Sequence, residues 1–235
     1  MPQNRDRPLL AVLVDADNIP AKYAEAILEE ITGLGEPGLR RVYGDWSSER
    51  LKPWAAKVRD LGLVAHQETA NTKGKNASDI GLVIDAMDVL HTGRFDGFVL
   101  VSSDSDFTRL ASRIRENGVD VIGIGEGKAP EALRNVCNRF ILIENLVEDA
   151  GPQASGGARK SQPKDALPLI LRAMERMGQD DEWYALGALG SQIMAEQPDF
   201  DTRSYGKRKL GDLISDIKRL ETRMEGTQLM VRRLD

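Results

Sequence analysis

Two short, uninterrupted apolar runs constrain this chain most, one over residues 9–14 and the other over residues 98–101. Each has the length of a strand and no polar alternation, the pattern of a parallel strand buried on both faces. Each also stops at carboxylates. The first leads into Asp15-Ala16-Asp17-Asn18, the second into Ser102-Ser103-Asp104-Ser105-Asp106-Phe107, and helical spacing follows both. In open parallel sheets ligands bind outside the carboxyl ends of the strands, where the strand order reverses. If the two runs are neighbours, their carboxylates converge on one crevice. Such a cluster, with no basic residue inside either stretch, is costly unless a divalent cation with oxygen ligands compensates it.

The same alternation continues through the first two thirds of the chain. Residues 21–31 have helical spacing, with Ala24, Ile27, Leu28 and Ile31 on one face, and Gly33 and Gly35 stop them. Further strands are expected over residues 39–43, 63–67, 119–124 and 140–143, with helices over 53–61, 107–116 and 130–136 between them. A helix capped by Asn76 or Ser78 follows the third strand, and its apolar face reads Ile80, Val83, Ile84, Met87 and Leu90. This order implies an α/β domain, a doubly wound and mainly parallel sheet.

At 235 residues there is room for that domain, over residues 8–147, and a smaller module over 165–235. Residues 148–164 are rich in Gly, Pro, Ser and Gln, lack apolar periodicity and read as a linker. Beyond it, helices are expected over 166–177, 182–195 and 208–220. Two extended pieces follow, around Met224 and over 229–231, joined at Glu225-Gly226. Three helices followed by a hairpin is the order of a winged helix. The net charge of -5 divides unevenly: residues 1–157 carry net -6 and residues 158–235 net +1. Acidity thus accompanies the carboxylates, and the balanced module is free to meet a polyanion.

Composition excludes several chemistries. With one cysteine, Cys137, there is no internal disulfide, and with only His66 and His91 no Cys/His zinc site can be assembled. Residues 1–8 are polar, and no later stretch approaches the roughly 18 apolar residues of a membrane span. A cytoplasmic protein without membrane contact is expected.

Asp15 and Asp104 are the expected centre of the site, with Asn18 and Asp106 within reach. Asp79, in the first turn of the third helix, either points back to the crevice or serves the helix dipole. Asp85 and Asp88 lie further along, outward or behind the site. Three or four carboxylates suit one or two Mg²⁺ or Mn²⁺ ions, which activate water for in-line attack on a phosphodiester without a separate nucleophile. Ser102 and Ser103 are placed to bind the scissile phosphate or to cap the next helix, and Lys73 and Lys75 to contact substrate phosphates. Gly123-x-Gly125-x-Gly127 hints at a phosphate loop but lacks the full spacing and follows the fifth strand. Trp46 and Trp54 flank the expected cleft or pack on the sheet.

Asp15-x-x-Asn18, Lys75-Asn76-Ala77-Ser78-Asp79 with Val83-Ile84-Asp85-Ala86-Met87 behind it, and Ser102-Ser103-Asp104-Ser105-Asp106-Phe107 together resemble the NYN domains, PIN-like ribonucleases. The resemblance covers about residues 8–146. It implies a metal-dependent nuclease fold in which Asp15, Asn18, Asp79, Asp104 and Asp106 occupy the acidic site, with Mg²⁺ or Mn²⁺ as cofactor. Asp15-Ala16-Asp17 also has the spacing of the haloacid dehalogenase phosphatases. However, Asn18-Ile19 departs from the Thr or Val that family places two residues after its second Asp, and no matching Lys is evident.

The tail resembles the OST-HTH or LOTUS module, a winged helix associated with RNA or with protein partners. The matching residues are Leu189-Gly190-Ser191, Pro198-Asp199-Phe200-Asp201, Arg203-Ser204-Tyr205-Gly206, Lys209-Leu210-Gly211-Asp212-Leu213-Ile214 and Val231-Arg232-Arg233. Arg203, Lys207, Arg208 and Lys209 gather at the start of the third helix, where phosphates would meet them, and Tyr205 is placed to stack on a base or to enter the core. Together these readings imply an endoribonuclease acting on single-stranded RNA, or a non-catalytic RNA-binding adaptor that retains the acidic pocket.

Overall fold

In a computed structural model, residues 6–67, 77–147, 161–178 and 182–234 are described, and the chain divides into two compact units at Ser155 and Gly156. The first unit runs β1 (Leu9–Asp15), α1 (Ala24–Leu34), β2 (Glu36–Gly44), α2 (Lys52–Asp60), β3 (Val64–Gln67), α3 (Ala77–His91), β4 (Gly97–Val101), α4 (Thr108–Glu116), β5 (Asp120–Gly125), α5 (Glu131–Val136) and β6 (Arg139–Leu142). Its six strands are all parallel, in the order β3-β2-β1-β4-β5-β6. The order therefore reverses between β1 and β4, whose register runs from Leu10 opposite Gly97 to Val14 opposite Val101.

Uninterrupted apolar strands are needed here because both faces of the sheet are covered. Val12, Val14, Val99 and Val101 pack on one face with Ile27, Ile31 and Trp54 from α1 and α2. Ala11, Leu13, Phe98 and Leu100 pack on the other with Leu82, Ala86, Leu110 and Leu133 from α3, α4 and α5. Removing each large side chain of this kind from water contributes about 1.5–3 kcal/mol.

The face expected for α3 is corrected. Leu82, Ala86, Val89 and Leu90 are buried, whereas Ile80 and Ile84 are 62% and 58% exposed. The helix is apolar almost all round, so spacing alone does not choose a face. A polar contact chooses it: the Asp85 carboxylate accepts hydrogen bonds from Tyr43 Oη and Arg41 Nη1, both on β2. Asp85 is thus a half-buried anchor of α3, while Asp88 is exposed. Burial and the neighbouring carboxylate raise the Tyr43 phenol pKa well above its ordinary value, so the phenol stays protonated and donating.

Cys137 is 1% exposed and its thiol lies 3.2 Å from the Leu133 carbonyl oxygen. Burial pushes its pKa up to about 12. Since the thiolate is the reactive form, the folded protein is expected to resist iodoacetamide at neutral pH, and one thiol should become reactive only in denaturant. Mass spectrometry of alkylated protein checks this; rapid labelling of the native chain would contradict it.

The second unit contains α6 (Leu167–Met177), β7 (Tyr184–Ala185), α7 (Leu186–Glu196), α8 (Leu210–Ser215), β8 (Leu220–Glu225) and β9 (Gln228–Arg233). Its antiparallel strands have the order β7-β9-β8. Ile170, Ala173, Leu189, Ile193, Leu213, Ile214 and Val231 form its core. The expected helix over 182–195 begins later, at Leu186, because Tyr184 and Ala185 pair with Val231 and Met230. Likewise the third helix covers only Leu210–Ser215 of the expected 208–220. The hairpin turn lies at Gly226, whose φ of 59° favours glycine.

Candidate active site

Three strand ends meet where the sheet order reverses. Asp15, the last residue of β1, is 3% exposed: its Oδ2 accepts the Ser102 hydroxyl at 2.8 Å and its Oδ1 accepts the Asn18 N–H at 3.2 Å. Ser102 Oγ in turn accepts the Asp104 N–H at 3.1 Å. Across the crevice, Asn18 Oδ1 accepts the Ser103 N–H at 3.1 Å, and Ser103 Oγ accepts the Glu126 N–H, just past β5, at 2.8 Å. One chain of hydrogen bonds thus joins β1, β4 and β5 at their carboxyl ends.

Asp104 stands at the outer end of this chain. It is half-buried and caps the 3-10 turn Ser105–Phe107 that leads into α4, with its Oδ1 accepting the Asp106 N–H at 2.9 Å. Asp106 itself is exposed in that turn. α3 packs against the same turn, and Asp79 lies in the first turn of α3, although its side chain falls outside the described residues. Lys73 and Lys75 lie outside them too.

Ser102 and Ser103, expected to contact substrate or to cap the next helix, face inward. Their side chains are 4% and 6% exposed, and their hydroxyls are spent on Asp15, the Asp104 N–H and the Glu126 N–H. Neither caps the turn that leads into α4, since Asp104 does so, and α4 itself starts without a side-chain cap. They tie the acidic residues to the sheet. Asn18 has the same duty, for its carbonyl oxygen holds the Ser103 backbone.

Three residues at this end of the sheet were not singled out by the sequence. Asp45, directly after β2, accepts from the Ser47 hydroxyl at 2.6 Å and from Gln67 Nε2 at 3.1 Å, and the Ser47 bond lowers its pKa below the ordinary carboxylate value. Arg50 pairs with Asp17 at 2.6 Å and links the loops after β1 and β2. Glu126 follows β5. The signal available for Glu126 was an acid immediately after an apolar strand, the one that marked Asp15, and for Asp45 an acid just after an expected strand. Trp54, expected to flank a cleft or to pack on the sheet, packs: it is 3% exposed in the core and donates its Nε1–H to the Ile19 carbonyl at 2.7 Å. Trp46 is half-buried and donates to the His66 carbonyl at 2.8 Å.

All the donors that converge here are oxygens, the type that suits Mg²⁺ or Mn²⁺. Among the described residues no three Asp, Glu, His or Cys side chains form a metal-holding cluster. Of the expected donors, Asp15, Asn18, Asp104 and Asp106 lie among the described residues, and Ser102 links the Asp15 carboxylate to the Asp104 N–H.

In the second unit, two of the four basic residues expected to meet RNA are engaged internally. Arg203 donates Nε and Nη2 to Asp201 Oδ2 at 2.9 and 2.7 Å, and Lys207 pairs with Asp216. Tyr205 lies with its ring 5.9 Å from that of Phe200, and burial raises its pKa. The two basic residues find partners because this region carries thirteen acidic residues. Lys209 is exposed at the N-terminal end of α8.

Comparison with solved structures places the fold among known ones. A protein of unknown function from Vibrio parahaemolyticus superposes with a TM-score of 0.51 at 20% identity, covering 60% of this chain and 96% of that one. At that identity the likeness shows the fold. An uncharacterized protein from Nitrosomonas europaea is 29% identical over 37% of this chain and 90% of its own, with a TM-score of 0.28. No curated protein matches the chain. The model of the OST-HTH/LOTUS domain matches residues 158–230, and that of the NYN domain matches residues 9–144, from the first strand of the parallel sheet through its last. A match over more than half of the chain, on a PIN-like sheet with acids at its reversal point, shows that the protein belongs to the NYN domain family.

Proposed function

We propose that this protein is a Mg²⁺- or Mn²⁺-dependent ribonuclease that hydrolyses single-stranded RNA, with the OST-HTH/LOTUS unit holding the substrate. The observation that carries the reading is the Asp15–Ser102–Asp104 linkage at the point where the strand order reverses. It ties the Asp15 carboxylate to the backbone of Asp104, so two acids stand on hydrogen-bonded neighbouring strand ends, an arrangement that favours a bound cation. A cytoplasmic setting belongs to the same proposal; among the described residues no helix is long and apolar enough to cross a membrane.

Asp15, Asp79, Asp104 and Asp106, with Asn18, would hold the ion. When bound, it supplies an activated water and offsets the charge that develops on the phosphate in the transition state. The chain's own part is preorganisation. Ser102 fixes Asp15 and the backbone of Asp104 at once, so the two carboxylates need no rearrangement as charge develops. Asn18 and Ser103 hold the loops after β1, β4 and β5 in register. Lys73 and Lys75 are assigned to the phosphates that flank the scissile bond.

A second reading, a non-catalytic RNA-binding adaptor, is favoured by one observation: Asp15 is buried, with both carboxylate oxygens engaged by the protein's own donors. Labelled single-stranded RNA, single-stranded DNA and duplex RNA, each incubated with the protein in EDTA, Mg²⁺ or Mn²⁺, separate the two. Cleavage of single-stranded RNA that needs the ion supports the nuclease. RNA binding without cleavage under every condition overturns it in favour of the adaptor.

A further inference from the structure

With Arg203 and Lys207 neutralised inside the second unit, its basic charge lies elsewhere. Residues 217–234, which contain the β8–β9 hairpin, carry five Lys and Arg against two Glu, net +3, in a chain of net -5. On this hairpin two guanidinium groups sit over one indole: Arg223 Cζ lies 4.1 Å and Arg232 Cζ 4.8 Å from the Trp183 ring centroid. Carboxylates hold both. Arg232 pairs with Glu221 at 2.7 Å and with Glu182 at 3.2 Å, and Arg223 pairs with Glu225 at 2.9 Å. The stack is therefore preformed, yet Arg223 keeps 48% of its side chain exposed and Arg232 33%. Beside it lies a cavity of about 430 Å³ lined by Leu171, Met174, Glu182, Tyr184, Arg232 and Leu234. Arg232 is common to stack and cavity.

We infer that this indole–guanidinium stack on the hairpin, and not the start of α8, is where the second unit binds unpaired bases of single-stranded RNA. The inference rests on the RNA reading given above and assigns its binding site. A guanidinium plane already lying on an aromatic ring is a platform for a further flat π-system. A base seated on Arg223 extends the stack without new ordering of side chains, which lowers the entropic cost of binding. Glu182 and Arg232 at the cavity rim offer an acceptor and a donor to base edges, and Leu171, Met174 and Leu234 an apolar wall. In a duplex each base face is covered by its stacked neighbours and each pairing edge by its partner, so duplex RNA gains nothing from such a platform.

The test is direct binding, in EDTA, by full-length protein that carries Asp104→Asn. It is titrated with a short fluorescent single-stranded RNA and with the same RNA as a duplex. Loss of one base stack is worth about 1–3 kcal/mol, so Trp183→Ala and Arg223→Ala should each weaken single-strand binding about 5- to 150-fold. Arg223→Lys, which keeps the charge and loses the plane, should weaken it nearly as much. Trp183→Phe should retain part of the affinity and exposes any effect due to misfolding alone. Lys209→Ala should change little. Unchanged binding by Arg223→Lys, or loss confined to Lys209→Ala, would overturn the inference. RNA binding that survives removal of both Trp183 and Arg223 would do the same and leave this face to a protein partner. If the wild type never cleaves RNA but the stack variants lose binding, the nuclease reading fails and this one stands.

Discussion

Asp104→Asn is expected to reduce metal-dependent cleavage of single-stranded RNA by at least about 10³-fold while the protein stays folded and binds RNA as before. Removing one carboxylate from a divalent-cation site costs several kcal/mol of transition-state stabilisation, and each 1.36 kcal/mol is tenfold in rate. Stability should hardly move, for a specific reason. Asp104 caps the turn Ser105–Phe107 through its Oδ1, and Asn caps a helix start about as well as Asp. Its N–H, bonded to Ser102 Oγ, belongs to the backbone and is untouched. The substitution thus separates charge from architecture. Asp15→Asn is the less clean companion, because Asp15 is buried and its Oδ2 is the acceptor for the Ser102 hydroxyl. An amide nitrogen there leaves that hydroxyl without its acceptor. Single-turnover cleavage and thermal melts on the same preparations check both. Full activity in Asp104→Asn would remove Asp104 from the chemistry.

Gly125→Ala should damage both the fold of the first unit and its site. A Cβ at residue 125 would lie 2.6 Å from the Ser102 carbonyl oxygen, 3.0 Å from Phe140 Cζ and 3.1 Å from Ser103 Oγ. The first of these is backbone of the neighbouring strand end, so relief requires β4 and β5 to part. Overpacking of this kind costs about 1–3 kcal/mol, or roughly 3–10 °C in the melting temperature of a unit this size. The displaced residue carries the hydroxyl that fixes Asp15, so cleavage should fall as well, by as much as about 10²-fold if the site moves by ~1 Å. Gly127→Ala is the control, since its Cβ would meet only Glu144 Oε1 at 3.4 Å, the end of a side chain. A phosphate loop would need both glycines; close packing needs only Gly125. Equal losses in the two variants would contradict the packing account.

That contrast shows where the sequence is ambiguous. Gly123-x-Gly125-x-Gly127 looks like ligand chemistry, yet a Cβ at Gly123 would run into the Phe140 ring at 2.4 Å, a partner seventeen residues away that no local pattern names. Ser102 and Ser103 likewise read as phosphate ligands because hydroxyls at a strand end are the usual ones. Only the meeting of β1, β4 and β5 shows them turned inward, bonded to Asp15 and Glu126. For α3 the pattern held two apolar stripes, and the choice between them came from Asp85 reaching Tyr43 and Arg41 on β2.

What the sequence determined by itself was the parallel sheet and the acids at its strand ends. A strand buried on both faces must be continuously apolar, and a carboxylate that follows it directly has to emerge at the sheet's edge. Residues 9–15 and 97–104 obey that rule without help from any other part of the chain. What only the tertiary structure decided was which polar groups answer each other. Asp216 meets Lys207, and Trp183 lies under Arg223 and Arg232 from a hairpin some forty residues further on. Hydrogen bonds and ion pairs act over a few ångströms in space, and spacing along a chain carries that information only inside a single helix or hairpin.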